Sequence, residues 1–513
     1  MYNLCMPLLS DAERRFLSAV SKLAYSNPFL PERLEHERAA LGKHYVIGHA
    51  VWSASVNNPD AISPNVERVY ARLEPLVDKV RSRLEAGLEA SSEDLAIYED
   101  GAHYLMYQQY HPDFVAAASN WRFYERFLAG WNRYFRVAGR RSETALQPAH
   151  LFACFRQVQR AFHHIFDKII GNSMPAAQLR ASVWQSVFTH DLRRYWRILY
   201  SRMHDFPTLI TGPSGTGKEL VARAIAGSRY VPFDPAKFRF ADPSTESFIP
   251  INLAALSPTL IESELFGHRR GAFTGAIGDR QGWLDVCPAA GSVFLDELGE
   301  LELAIQVKLL RVIETRRFSA VGATAVREFS GKLIAATNRD LPAEIRAGRF
   351  REDLYYRLCA DLVRTPSLRE QIGDSPAVLD DLLLFMVRRA VGDEAEQCLP
   401  EVKRWVETNL PRGYGWPGNY REVEQCVRNV IIRRSYQPIA ERDSTHDDEF
   451  LSRLRNAELT ADELLCYYAA LVYRKTGTYE DAARRLGIDR RTVKSKVEAF
   501  LTNVTSRTHN LSG

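Results

Sequence analysis

Nine residues constrain what this chain can fold into more than any other stretch. Thr211-Gly212-Pro213-Ser214-Gly215-Thr216-Gly217-Lys218-Glu219 follows the apolar run Thr208-Leu209-Ile210 and precedes Leu220-Val221-Ala222-Arg223-Ala224-Ile225, whose apolar spacing is helical. From Val187 strand and helix patterns alternate around this loop, the signature of a mostly parallel sheet covered by helices. Gly212, Gly215 and Gly217 let the backbone turn so that successive N–H groups and the helix N-terminus face one anion. Lys218 adds a mobile positive charge. Such a cradle suits a nucleoside triphosphate. Glu219 stands where a Ser or Thr hydroxyl would ordinarily ligate Mg²⁺, so a metal must be held mainly by an acid further along the chain and by the nucleotide.

The remaining 500 or so residues, of 513 in all, are enough for about three or four domains, and 46% hydrophobic content supplies their cores. A net charge of +4 is nearly balanced, so any basic surface must be local. Seven scattered cysteines without a CxxC pair read as reduced thiols of a cytoplasmic protein. The N-terminus lacks a basic leader, and no uninterrupted apolar run reaches about 18 residues, so neither a secretion signal nor a membrane span is expected.

Residues 1–185 carry apolar positions at helical spacing, such as Phe16, Val20 and Leu23, then Val69, Leu73, Leu76, Val80, Leu84 and Leu88. A mainly helical N-terminal domain is expected, serving as an input region. Its section from Tyr104 to Phe135 interleaves aromatic residues with arginines. A base-stacking or ligand-caging surface fits that composition, but the spacings fit a buried helix face better. His163 and Asp167 make an i, i+4 pair without further ligands nearby, which is weak support for a metal site. Val231 to Ser247, rich in charge and proline, reads as a surface insertion. Phe248-Ile249-Pro250-Ile251 is a strand delivering Asn252, and Ser257-Pro258 opens a helix.

The stretch Gly271-Ala272-Phe273-Thr274-Gly275-Ala276 sets one aromatic and one hydroxyl among small residues, as a mobile tip presenting Phe273 and Thr274 would. At this hexapeptide the sequence resembles the AAA+ activators of sigma-54 RNA polymerase, the bacterial enhancer-binding proteins. The resemblance covers roughly residues 186–436 plus the C-terminus, and does not reach the first 185. It implies that the hexapeptide contacts sigma-54, that ATP with Mg²⁺ is the nucleotide, and that the active chain is a homo-oligomer, a hexamer in this family.

The other motifs read physically alongside that resemblance. Ser292-Val293-Phe294-Leu295-Asp296-Glu297 is a buried strand ending in two acids, with Asp296 placed to hold Mg²⁺ and Glu297 to polarise the attacking water. By resemblance, Asn252 is a switch holding Glu297 at rest, and Asn338, ending the strand Leu333 to Thr337, senses the γ-phosphate. Arg351 and Arg357 match arginines that reach into a neighbouring subunit's site, where a planar guanidinium suits the spread charge of phosphoryl transfer. Arg421, within Trp416-Pro417-Gly418-Asn419-Tyr420-Arg421-Glu422, resembles the family's second sensor. The α/β ATPase part is placed at 186–372 and its helical lid at 373–436.

Residues 437–460 are polar and read as a linker. Beyond it, 461–513 reads as three helices, with Ala483, Gly487 and Val493 falling where a helix-turn-helix needs a small residue, a turn glycine and a buried branched side chain. Asp489 can cap the third helix. Arg490, Arg491, Thr492, Lys494 and Lys496 are available for base edges and phosphates of double-stranded DNA. The segment resembles the Fis-type domain usual at this family's C-terminus. Together these features predict an ATP-driven activator that binds upstream DNA and remodels sigma-54 polymerase. A protein-unfolding AAA+ motor, or a DNA-binding repressor that uses ATP only to set its oligomeric state, are the competing classes.

Overall fold

The computed structural model describes residues 7–47, 64–117, 120–137, 140–141, 145–241, 247–411, 413–438, 454 and 457–509. It falls into two compact units, 1–436 and 437–513. Most of the expected linker lies outside the described residues.

The first unit is built on five parallel strands, β1 Thr208–Thr211, β2 Phe248–Asn252, β3 Ser292–Asp296, β4 Lys332–Thr337 and β5 Asp361–Arg364, ordered β5-β1-β4-β3-β2. All six residues of β4 are buried, which is why that strand reads as a nearly continuous apolar run. Alternate side chains serve opposite faces. Leu209, Val293, Leu295, Leu333 and Ala335 join one core with helices α9 Pro258–Phe266, α10 Leu303–Thr315 and α11 Glu352–Leu358. Ile210, Phe294, Ile334, Ala336 and Val363 face the other way and join a second core.

That second core is where the sequence reading needs correction. The N-terminal region is helical as expected, with α1 Asp11–Tyr25, α2 Glu32–Leu41, α3 Pro64–Glu85, α4 Ser92–Ala116, α5 Tyr124–Phe135, α6 Pro148–Lys168 and α7 Met174–Phe188. Its apolar side chains belong to the same buried cluster as one face of the sheet and as α8 Lys218–Gly227, so packing does not break at residue 185. Polar contacts reinforce the seam at the C-terminal end of α8. Gln157 Nε2 on α6 donates to the Ser228 carbonyl at 2.9 Å, and Arg160 donates to the Gly227 carbonyl. A guanidinium over the last carbonyls of a helix satisfies orphan acceptors and favours the helix dipole.

The aromatic section is core, as the spacing favoured. Trp131, Phe127, Tyr134 and Phe135 are buried, and Phe152 on α6 lies 4.8–5.2 Å from the rings of Phe114, Phe123, Tyr124 and Phe127. Val231–Ser247 does not simply cross the surface. Within it Phe233–Asp234 pairs with Arg239–Phe240, and Phe233 and Phe240 lie against Phe152, Tyr124 and Trp121. Among the described residues no group of three or more His, Cys, Asp or Glu side chains gathers around His163 and Asp167 to hold a metal, and Asp167 pairs with Lys168.

Three further helices, α12 Ala377–Val391, α13 Ala395–Asn409 and α14 Asn419–Arg433, close around their own core with Trp416 at its centre. The second unit holds α15 Ala461–Thr476, α16 Tyr479–Leu486 and α17 Arg490–His509. Its core is Ala469, Val472, Ala482, Val493 and Val497. Ala482, rather than the expected Ala483, is the fully buried small residue. Gly487 is left-handed and ends α16 as expected, and Asp489 Oδ1 accepts from the Arg491 N–H at 2.7 Å at the start of α17. Among the described residues no helix is long and apolar enough to cross a membrane.

Candidate nucleotide site and loop tip

The glycine-rich loop joins β1 to α8 at the C-terminal ends of the strands. Gly212, Gly215 and Gly217 all have positive φ, and two of them are also held by close approach. A Cβ on Gly212 would lie 2.6 Å from the Thr365 carbonyl oxygen, and one on Gly215 would collide with the Gly418 carbonyl. Thr216 Oγ1 lies 2.8 Å from the Pro213 carbonyl and 2.7 Å from Thr365 Oγ1, which fixes the loop to the end of β5. Lys218 is buried, and its Nζ donates to the Gly212 and Pro213 carbonyls at 3.0 and 3.1 Å. Burial lowers its pKa, and the Glu297 and Asp296 carboxylates oppose that shift. Glu219 is exposed and accepts from Arg223 at 2.7 Å, a surface i, i+4 pair.

Asp296 and Glu297 sit half-buried at the end of β3. Glu297 takes a left-handed backbone, φ 55° and ψ 46°, with its N–H donating to Asp296 Oδ1 at 3.0 Å. For a non-glycine residue that conformation costs on the order of 1–3 kcal/mol, and such strain gathers at working sites. Asn338 follows β4, between the loop strand and the acid strand, and is exposed. Asn252 ends β2 in register with Asp296, but its Oδ1 accepts from the Ala254 N–H at 3.0 Å. The expected hold of Asn252 on Glu297 is therefore absent from the described contacts, because the side chain caps the 253–255 turn instead.

The lid meets the loop directly. The Tyr420 N–H donates to the Gly215 carbonyl at 3.1 Å, Asn419 Nδ2 to the Ser214 carbonyl at 2.9 Å, and Arg421 approaches Ser214 Oγ at 3.4 Å. A cavity of about 580 Å³ results, lined by Ser214 to Val221, Asp296, Glu297 and Arg421. Its volume falls in the range of small-molecule sites. Ile169, Ile170, Ala176 and Leu179 form another part of its wall. Sequence reading missed these four because their signal is only apolar character, and it placed them in a separate domain.

Arg351 and Arg357 line no part of this cavity. Arg357 is exposed and Arg351 half-buried, Arg351 pairing with Asp353 at 2.6 Å and Arg357 with Glu314 at 3.1 Å. Exposed pairs of this kind contribute about 0–1 kcal/mol and release their arginines readily.

Gly271–Ala276 tips a hairpin whose stem pairs Gly267–His268 with Arg280–Gln281. The tip is tied internally, the Gly271 N–H donating to the Ala276 carbonyl at 2.9 Å, and Arg269 pairs with Asp279 below it. Thr274 is exposed, as expected of a presented side chain. Phe273 is half-buried, its ring 4.9 Å from that of His268, so it is stowed rather than presented. The large apolar side chain that does stand out is Ile277, 88% exposed just past the hexapeptide, which the sequence reading passed over.

Residues 188–363 match the family described as the sigma-54 interaction domain. That segment is a sigma-54 interaction domain. The transcriptional regulatory protein ZraR of Escherichia coli (strain K12) is 38% identical over 298 residues, 56% of this chain and 62% of that protein. The hydrogenase transcriptional regulatory protein HoxA of Bradyrhizobium diazoefficiens is 36% identical over 318 residues, 58% of this chain and 60% of that protein. The chain thus spans less than two thirds of the length of the curated relatives it matches. Among solved structures, NtrX from Brucella abortus in complex with ATP aligns over 73% of this chain and 80% of its own, at 23% identity and a TM-score of 0.39. The sigma-54 interaction domain is of the ATPase type, and its matched span contains the loop, the paired acids and the hexapeptide.

In the C-terminal unit, Arg490, Arg491, Thr492 and Lys494 are exposed, with Arg490 paired to Glu480 at 2.8 Å. Lys496 departs from expectation. It turns back to Asp462 on α15, which draws it away from the open face of α17.

Proposed function

We propose that this chain is a cytoplasmic, ATP-driven transcriptional activator acting on sigma-54 RNA polymerase. The observation that carries the reading is a separation within one body. The phosphate loop, the paired acids and Arg421 converge on one cavity, while the hexapeptide tips a hairpin that lines no part of it. ATP fits with its phosphates along the 212–218 main chain and Lys218. Asp296 holds Mg²⁺, which when bound offsets charge on the triphosphate. Glu297 orients water, and Asn338 reads the terminal phosphate from between the two strands. Hydrolysis moves the tip, with Thr274 and Ile277 exposed on it, against the sigma-54 holoenzyme. The three C-terminal helices serve as a Fis-type helix-turn-helix that places Arg490, Arg491, Thr492 and Lys494 on double-stranded upstream DNA.

The test is a Thr274→Ala chain assayed for ATPase rate, DNA binding and open-complex formation on one preparation, beside a protein-unfolding assay. Open-complex formation is expected to fall by tenfold or more, about the effect of losing a contact made at one point only, with the other two activities retained. A proportional fall in hydrolysis would make the loop part of the ATPase fold. Unfolding of a protein substrate in place of promoter opening would make the chain a remodelling motor, and repression without either would make it a DNA-binding repressor.

Arg351 and Arg357, both outside their own chain's cavity, are assigned to the neighbouring subunit's site in a homo-hexamer. Mixing Arg357→Ala chains with Lys218→Ala chains is then expected to restore part of the ATPase activity that each lacks alone. The gain should peak at intermediate ratios. Flat activity across all ratios, with rings still forming, would place the arginine in its own subunit.

A further inference from the structure

A second cavity, about 490 Å³, lies at the other ends of the strands, where β4 begins, β3 is entered and α8 finishes. None of the residues assigned above to phosphate, metal or water lines it. Its walls are largely aromatic and apolar, with Tyr195, Tyr200, Met203 and Tyr230. Two cations also line it. Lys332 is only 2% exposed, and its Nζ donates to the Phe206 carbonyl at 3.0 Å and more distantly to that of Met203 at 3.4 Å. Arg229 is half-buried and donates to the Gly291 carbonyl.

Among the described residues neither cation has a carboxylate within ion-pair distance. The negative charge that Lys332 feels comes from Asp361, which lies beyond ion-pair distance and accepts from Ser186 Oγ at 3.0 Å and Thr208 Oγ1 at 2.6 Å. Desolvation brings Lys332 down to about 8 and Arg229 down to about 10. Two cations held near one apolar cavity without matched carboxylates are costly unless a counter-charge arrives.

We propose that this cavity binds a small organic anion, its ring or alkyl body against the tyrosines and its carboxylate or phosphate group at Lys332 and Arg229. The volume lies within the range of small-molecule sites, and the mixture of apolar walls with a few convergent charges is what orients such a ligand. The site is linked to the phosphate loop only through α8. Gln157 and Ile225 line it, Ile225 lies on α8, and Gln157 is hydrogen-bonded both to Tyr195 and to the carbonyl of Ser228 just beyond α8. A ligand here therefore braces the end of the helix whose beginning is Lys218, and its binding is coupled to that of nucleotide.

Binding is read without transcription, so its failure is distinct from failure of the activator reading. Full-length chain is titrated with 4-fluorobenzoate, phenyl phosphate and neutral 4-fluorobenzyl alcohol, by fluorine NMR for the first and third and by calorimetry for all three. At least one anion is expected to saturate below about 1 mM, as suits a fragment-sized ligand, with the alcohol at least tenfold weaker. Whichever anion is tighter names the headgroup. Arg229→Gln and Lys332→Met are expected to weaken binding about tenfold or more, roughly the effect of losing one charge-assisted hydrogen bond. Each is checked first by its thermal transition, and Arg229→Gln, at the less buried position, decides the matter if Lys332→Met does not fold. Saturation of the protein with the tighter anion is expected to shift the affinity for a fluorescent ATP analogue by fivefold or more. Equal binding of the alcohol, unchanged affinity in folded Arg229→Gln, or no saturation by either anion up to about 5 mM overturns the site. An unshifted nucleotide affinity overturns the coupling.

Discussion

Glu297→Gln is expected to bind ATP about as well as the parent chain and to hydrolyse it about 10²- to 10⁴-fold more slowly, the range for removing a positioned general base. The substitution keeps the side chain's length and its capacity to accept a hydrogen bond while removing the charge that draws a proton from water. Affinity should survive because the groups nearest the phosphates, the 212–218 main chain and Lys218, are untouched. Asp296 remains beside Lys218, so one of the two carboxylates that favour its ammonium is kept. The left-handed backbone at Glu297 belongs to the strand end rather than to the carboxylate, and Gln tolerates it no worse than Glu. Nucleotide titration and phosphate release on the same preparation check both halves. Hydrolysis near the parent rate would remove Glu297 from the mechanism, and lost binding would mean that it serves the phosphates.

Removing residues 1–185 is expected to leave an insoluble or unfolded chain rather than an isolated motor. The cut discards α6, which packs on α8, and nearly all of α7, which packs on α8 and on β5, so it opens the core that Ile210, Phe294, Ile334 and Val363 share with these helices. It also strips Phe233 and Phe240 of their cover, and removes Ile169, Ile170, Ala176 and Leu179 from the nucleotide cavity wall. Each large side chain so uncovered loses about 1.5–3 kcal/mol of burial, and a handful exceeds the 5–15 kcal/mol that holds a typical domain together. The soluble fraction and the thermal transition of the truncated chain measure this directly. A soluble, cooperatively melting 186–513 chain that binds ATP would show that the shared core is dispensable.

What could be read from the sequence was chemistry confined to short stretches. The phosphate loop, the acids ending Ser292–Glu297 and the hexapeptide are each contiguous, so their residue types announce them before any folding is known. The parallel sheet followed from the alternation of strands and helices around those stretches, with a buried central strand such as β4 apolar over Leu333 to Ala336. What escaped was set by contacts distant along the chain. That the N-terminal helices cover the sheet depends on which apolar faces meet, and α3 displays Val69, Leu73, Val77 and Val80 in a pattern compatible with packing on anything. The covering role of Phe233 was hidden because proline and charge around it suggest a surface loop. Local competition accounts for the side-chain errors. Asn252 accepts from a backbone N–H two residues away, Lys496 meets Asp462 across the helical packing, and Phe273 meets the ring of His268, all partners within the chain itself.

The core shared between the N-terminal helices and the sheet also bears on how such a chain can change over generations. An input region joined to a motor by a linker can be exchanged whole by recombination, since neither side registers the swap. Here a crossover near residue 185 would pair one set of apolar side chains with a surface shaped for another, and few foreign partners would match it. Change there must instead arise by substitution within α1 to α7, under the constraint that the shared core stays packed. The surface available for innovation is then the side of those helices turned away from the strands, together with the cavities between them.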